Sequence, residues 1–286
     1  MKAKQLLVIC GALGASLSAV FARWSTESSM FLVFWRMLLT ALLLLPSAWT
    51  HRAELRALRG RTALLCVASG VFLSLHFFTY FEALRHTSIA ATVTLVNTEV
   101  FFVALGSVIF LKQRLSWRAW GAIVLTFCGS VVVALTGASS GSTLGGNLLA
   151  LLSGLLMTGY TVIGAVCRRT LSTTAYTLPV YLSAAGAILA LSLCAGVPVL
   201  SPEPVNYLLA LGMAVFCTLL GHSIYSWGLK YLPPAYISTV KLLDPVFSAV
   251  WGLLLFRETL SPALLLGGGA VILGVALYIR ASDRAA

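Results

Sequence analysis

Apolar stretches of about 20 residues, each long enough to cross the hydrocarbon core of a bilayer as a helix, follow one another along the whole chain. In lipid a backbone must satisfy its own hydrogen bonds, so such stretches become helices. Ten candidate spans are read: 5–22, 30–49, 62–84, 88–111, 116–137, 144–166, 175–196, 205–230, 234–256 and 260–279. Only 9% of the 286 residues are charged, against about 25% in an ordinary soluble chain. The expected fold is an all-α integral membrane protein of ten transmembrane helices, without a soluble domain. The first span also looks like a signal peptide, with Lys2 and Lys4, an apolar run and SLSA. Cleavage would leave nine spans and spoil the repeat described below, so it is kept as a span.

The net charge of +11 does not point to nucleic acid, because the basic residues lie in short loops between spans. Fourteen lysines and arginines fall on the side of the N-terminus. Three, Arg23, Arg85 and Arg257, fall on the other. Cytoplasmic loops carry the excess of Lys and Arg, so both termini are expected in the cytoplasm, in a cell inner membrane. Arg36 and Lys241 remain, inside spans. The six cysteines lie singly, without C-x-x-C, and read as small packing residues rather than metal ligands or disulfides.

The second half slides onto the first by 145 residues without a gap. Tyr80 meets Tyr225, Arg85 meets Lys230, Thr94 meets Thr239, Phe102 meets Phe247, Leu115-Ser116 meets Leu260-Ser261, Gly129 meets Gly274, and Glu99 falls on Asp244. The chain divides into a first repeat at 1–137, a Gly/Ser-rich linker at 138–145 and a second repeat at 146–286. Five spans per repeat is odd, so the second repeat enters the bilayer from the opposite side. Inverted repeats of this kind are common in transporters, with the substrate site near the midplane between them.

Three segments carry a resemblance: FWRMLLTALLLLP (Phe34–Pro46), AYISTVKLLDPVFSAVWGLLLFRETLS (Ala235–Ser261) and GGGAVILGVALYI (Gly267–Ile279). They resemble the second helix and the repeat signature of the EamA-type group of the drug/metabolite transporter superfamily. The resemblance covers the chain as two copies and implies ten helices, alternating access and export of small metabolites. The length, charge pattern and aromatic content also resemble the amino-acid exporter branch, which implies amino-acid substrates, aromatic ones included. The first copy departs in having Val100 for Pro245 and Gln113 for Glu258.

Lys241 and Asp244 share one helix face at i and i+3. A charge at mid-span costs roughly 2.5–3.5 kcal/mol, so both should face the interior, pair or touch water. Pro245 lacks an N–H and frees the carbonyl of Lys241, which predicts a kink near mid-membrane. Arg36 and Lys241 balance Glu99 and Asp244, either as two buried ion pairs or as a polar cavity suited to a zwitterion. His76 and His222 sit in the third and eighth spans without aligning at the offset: each is a helix contact or a group that titrates near neutrality. Tyr80, Tyr225 and Trp227 belong to an aromatic set in the same helices, as expected for a pocket that holds an organic solute. Tyr80, Glu99, His76, Tyr225, His222, Lys241, Asp244 and Trp227 are therefore the candidate substrate-binding residues. Small residues spaced by four, Gly11, Ala15 and Ala19 beside Gly14, Ser18 and Ala22, predict close packing of the first helix. The glycines at Gly267–Gly269 are not a phosphate loop, since no Gly-Lys-Ser/Thr follows. No cofactor is implied. The expected partners are a small-molecule substrate and the bilayer. A secondary carrier is favoured over an intramembrane enzyme, for which no HExxH is present, and over a channel.

Overall fold

The computed structural model describes residues 2–86, 92, 95–136, 143–256 and 262–283. Most of the 138–145 linker lies outside them, as do Arg257, Glu258, Leu260 and Ser261 of the repeat signature. The described residues hold helices and no strand. In order these are α1 (Lys2–Trp24), α2 (Ser29–Leu43), α3 (Leu45–Thr50), α4 (Arg52–Ala57), α5 (Gly60–His86), α6 (Glu99–Leu111), α7 (Trp117–Thr136), α8 (Leu144–Cys167), α9 (Thr173–Ala195) and α10 (Pro204–Gly212). A π-helix (Met213–His222) follows, then α11 (Ser223–Gly228), α12 (Pro234–Lys241), α13 (Asp244–Phe256) and α14 (Pro262–Asp283). Among the described residues five stretches are long and apolar enough to cross a membrane: Ala3–Trp24, Gly60–His86, Leu144–Cys167, Thr173–Ala195 and Pro204–Gly228. Large apolar side chains such as Phe110, Trp117, Leu193 and Leu266 cover the outside, which is unfavourable in water and expected in lipid.

Helix ends follow from local chemistry. Ser28, Thr143 and Ser172 each accept a hydrogen bond from the N–H three residues on, capping α2, α8 and α9. Gly196, at φ 66°, ends α9 in the left-handed conformation. The sequence predicts one unbroken helix over 30–49 and a loop over His51–Arg61. The structure instead ends α2 at Leu43 and restarts as α3, while the loop contains the short α4.

Interhelix bonds fix the two ends of the molecule. At the end that holds the N-terminus, Ser47 and Thr174 share a hydroxyl hydrogen bond of 2.7 Å, and Ser172 N–H donates to Glu54. At the far end Ser25 Oγ donates to Asn206 Oδ1 at 2.9 Å. α5 packs on α8 and α9, α1 packs on the π-helix and α13, and α7 packs on α14. The small-residue row of α1 serves this packing. A Cβ on Gly14 would lie 2.6 Å from the carbonyl of Phe216 in the π-helix. Gly129 and Gly274, aligned by the repeat, let α7 and α14 touch: a Cβ on either would come within 2.8 Å of backbone nitrogen. The six cysteines are free thiols.

Two apolar cores result. One joins Phe31, Met37, Leu73, Phe77, Tyr176, Tyr181 and Ile188 of α2, α5 and α9. The other joins Val8, Val100, Ile123, Tyr236, Val240 and Val271 of α1, α6, α7, α12 and α14. Each draws on both halves of the sequence.

Candidate functional site

Two breaks in the backbone face each other between these cores. In the second half α12 ends at Lys241, and α13 begins at Asp244. The turn between is tightened by bonds from Leu242 N–H to Thr239 O (3.1 Å) and Leu243 N–H to Val240 O (3.0 Å). In the first half Leu95 and Val96 are helical, Asn97 and Thr98 form a turn, and α6 begins at Glu99. Thr98 N–H donates to Leu95 O at 3.2 Å, the bond equivalent by the 145 offset to the Leu243–Val240 bond. Both breaks therefore put a carboxylate on the first residue of a half-helix, where the N-terminal N–H groups favour negative charge. The expected kink at Pro245 is present as a full break. Its counterpart forms at Asn97 and Thr98, ahead of Val100, without a proline. Gly154 of α8 admits the first break, since a Cβ there would lie 2.7 Å from the freed carbonyl of Val96.

A cavity lies at the meeting of the breaks. Its wall is formed by Ala15 and Ser18 of α1, His76, Phe77 and Tyr80 of α5, Val96, Asn97 and Glu99 at the first break, Met157 of α8, His222 and Tyr225, and Lys241 and Asp244 at the second break. Seven of the eight candidate residues meet there. Trp227 does not: it packs its ring on Tyr231 at 4.9 Å. It lies two residues from Tyr225, a rotation of about 200° on a helix of 3.6 residues per turn, so the two side chains face opposite ways. Ser18, Met157 and Asn97 were not among the candidates. Ser18 was visible only as a member of the small-residue row, and Met157 carried no signal.

The charges pair in an order that spacing does not predict. Lys241 Nζ donates to Glu99 Oε1 at 3.1 Å, across 142 residues of sequence. Both are buried, at 9% and 4% exposure. The pairing of Lys241 with Asp244 along one helix is not formed among the described residues, since the ammonium goes to Glu99 instead. Oδ1 of Asp244 is buried without a hydrogen-bond partner among the described residues, as are Tyr225 OH and His222 Nδ1. The Lys241 ammonium also lies 5.4 Å from the centre of the Tyr225 ring.

Arg36 stands behind the wall and is completely buried. Its Nε donates to Thr218 Oγ1 (2.8 Å) and its Nη1 to Ser18 Oγ (3.0 Å), and it lies 4.0 Å over the Phe77 ring. Nη2 has no partner among the described residues. The sequence set Arg36 with Lys241 against Glu99 and Asp244, as ion pairs or a polar cavity; among the described residues its bonds go to hydroxyls instead.

The two histidines differ. Ser153 Oγ donates to His76 O at 3.0 Å, and its oxygens lie 2.8 and 3.0 Å from His76 Nδ1. Ser153 O is an acceptor only, so Nδ1 carries the proton, and in the neutral ring Nε2 is the acceptor. His222 stacks edge-on against Phe77 and Tyr225 at 5.0 and 5.8 Å. It closes the π-helix, whose wider turns shift the phase of everything after them. At the repeat offset His222 falls on Phe77 rather than His76, yet both histidines reach one cavity.

A second cavity lies beyond the first, toward the far end. Ala19 and Ala22 of α1 and Phe81 and Leu84 of α5, one turn beyond the central wall, line it with Arg23, Ser25, Thr26, Ser29, Leu32 and Arg85.

An apolar shell around a buried polar cavity in a duplicated chain is matched in known sequences. The model of the EamA-like transporter family matches residues 3–135 and again residues 144–280. The chain belongs to this family. This EamA-like chain is thus a multi-pass membrane transporter. It is 27% identical over 254 residues to an uncharacterized transporter of Archaeoglobus fulgidus, covering 86% of each chain. It is 24% identical over 267 residues to the S-adenosylmethionine/S-adenosylhomocysteine transporter of Chlamydia trachomatis serovar L2, covering 89% of this chain and 82% of that one. It is 26% identical over 262 residues to the uncharacterized transporter YwfM of Bacillus subtilis, covering 90% and 87%. A crystal structure of another protein superposes with a TM-score of 0.81 over 99% of both chains at 16% identity, a likeness of fold. Among these relatives none is named as an amino-acid exporter.

Proposed function

We propose that this transporter is a secondary carrier for small organic metabolites bearing an α-amino-carboxylate group, worked by alternating access between two inverted repeats of five spans. The carrying observation is the unsatisfied Oδ1 of Asp244 in the central cavity. A buried carboxylate oxygen without a donor is costly, and a substrate ammonium supplies the donor. His222, Tyr225 and the paired Lys241 offer hydrogen bonds to a carboxylate. Phe77, Tyr80 and Met157 receive the apolar or aromatic body. Free amino acids carry this head group alone. The two compounds named for the Chlamydia relative carry the same head group on a nucleoside, which supports the class and widens it beyond free amino acids. The charge asymmetry supports an inner membrane with both termini in the cytoplasm, so that the near end faces inward.

Counterflow in liposomes tests the reading. Purified protein is loaded with unlabelled aromatic amino acids, methionine or S-adenosylmethionine in turn, and uptake of the labelled compound is followed. Transient accumulation of at least one member is expected, since a carrier exchanges labelled for unlabelled substrate through one site and a pore does not. Absence of counterflow across the panel, from folded protein, overturns the substrate class. A C-terminal fusion reporter is expected to read cytoplasm; a periplasmic signal overturns the orientation.

A further inference from the structure

The two ends of the substrate path are built alike and set differently. At the far end Arg85 of α5 donates from Nη2 to Glu27 O at 2.5 Å and from Nε to Ser29 Oγ at 3.2 Å. Glu27 and Ser29 are the residues just before and just after Ser28, the N-cap of α2. At the near end Arg168 donates from Nη1 to Leu171 O and from Nη2 to Thr173 Oγ1 at 2.8 Å. Leu171 and Thr173 are the residues just before and just after Ser172, the N-cap of α9. The same pair of acceptors is gripped by an arginine at each end.

Their surroundings differ. Arg168 is 1% exposed, and its Nε makes a third bond, to Ser226 O of α11 at 2.8 Å. The Arg85 side chain is 48% exposed and lines the far vestibule. Arg168 is thus enclosed by protein where Arg85 stands at the edge of a cavity. The bonding around Arg168 also reaches the cavity. Ser226 follows the cavity residue Tyr225, and its hydroxyl bonds to Tyr160 OH at 2.8 Å, whose ring lies 6.4 Å from His222. A ligand that moves His222 and Tyr225 moves the acceptor of the Arg168 Nε.

We infer that Arg168 and Arg85 are the positioning residues that set which end of this transporter is open, each buried and fully bonded when its own end is closed. Release of Arg168 Nε from Ser226 opens the near end, since its two bonds to the α9 cap are of the kind that Arg85 keeps at the far end, and burial of Arg85 accompanies it. The inference rests on the carrier reading. It does not depend on the substrate.

The repeat supplies its own reporters. Ala22 lines the far vestibule, and its counterpart at the 145 offset is Cys167, which is 2% exposed beside Arg168. A chain whose only cysteine is Cys167 and a second whose only cysteine is Ala22→Cys are labelled with a membrane-impermeant thiol reagent, with no substrate present. With Arg168 native, Ala22→Cys is expected to react and Cys167 to resist. Arg168→Gln is expected to raise labelling of Cys167 by about tenfold and lower that of Ala22→Cys, the effect on a two-state balance of losing one charge-assisted bond. Arg168→Lys, which keeps the charge without the three-way fork, is expected to fall between. Arg85→Gln is expected to leave Cys167 resistant. If Arg168→Gln does not fold, Arg168→Lys is read in its place, with a smaller shift. Labelling of both reporters at the parental level in folded Arg168→Gln protein, or in Arg168→Lys protein where that variant takes its place, overturns the inference. Counterflow failing while the labelling shifts refutes only the substrate class, and the reverse result refutes only the role of the arginines.

Discussion

The first break and the second break occupy equivalent positions and do different chemical work. At the first, Glu99 is held by Lys241 at 3.1 Å; at the second, Asp244 keeps a buried oxygen with no donor. Duplication supplied two carboxylates on two half-helix N-termini, and a single lysine satisfies one of them. The first carboxylate thereby becomes part of the framework, and the second is left for a ligand. A buried ion pair broken on one side is strongly destabilising, whereas an unpaired carboxylate made neutral relieves its surroundings.

The sharpest way to break this contrast is Glu99→Gln, which leaves the Lys241 ammonium buried and unpaired. It is expected to lower stability by about 3–5 kcal/mol, read as thermal unfolding in detergent. A loss no larger than that of Asp244→Asn would show that Lys241 turns to Asp244 and that the two acids are interchangeable. Asp244→Asn itself is expected to reduce counterflow by about 10- to 100-fold, the value of one charge-assisted hydrogen bond, with the yield of folded protein unchanged. Loss of fold without a specific transport defect would make Asp244 structural. Gly154→Ala presses a methyl on the Val96 carbonyl of the first break, and overpacking at such a point costs about 1–3 kcal/mol. An unchanged melting temperature would mean that α8 does not hold this break in place. The smallest effect is expected for Pro245→Val, which gives the second break the residue found at the first. With the first break formed without a proline, the change is expected to stay below about 1 kcal/mol, and a larger loss would show that the second break depends on the missing N–H.

The second break was legible in the sequence because Pro245 removes a donor. The first was not, since Val100 carries no such mark. The turn formers Asn97 and Thr98, set against the aligned position of a proline break, were the available signal. The π-helix had no signature at all. It is read only in the packing of Gly14 against its carbonyls and in the bond from Thr218 Oγ1 to Met213 O at 3.2 Å. Trp227 was placed with the pocket by its neighbours in sequence, and helix phase put it on the other side. Arg36 was seen as a charge needing burial. That it stands on Thr218 and Ser18, behind the cavity wall, depends on two helices distant in sequence.

By itself the sequence determined immersion in lipid, helicity, duplication and the mid-span position of two acids, because hydrophobic length, helix periodicity and internal alignment are properties of contiguous residues. Only the tertiary structure decided which base meets which acid, which histidine nitrogen is engaged and which arginine is buried. Those outcomes depend on how broken helices cross, and local spacing offered Lys241 a partner three residues away that the fold replaced with one 142 residues away.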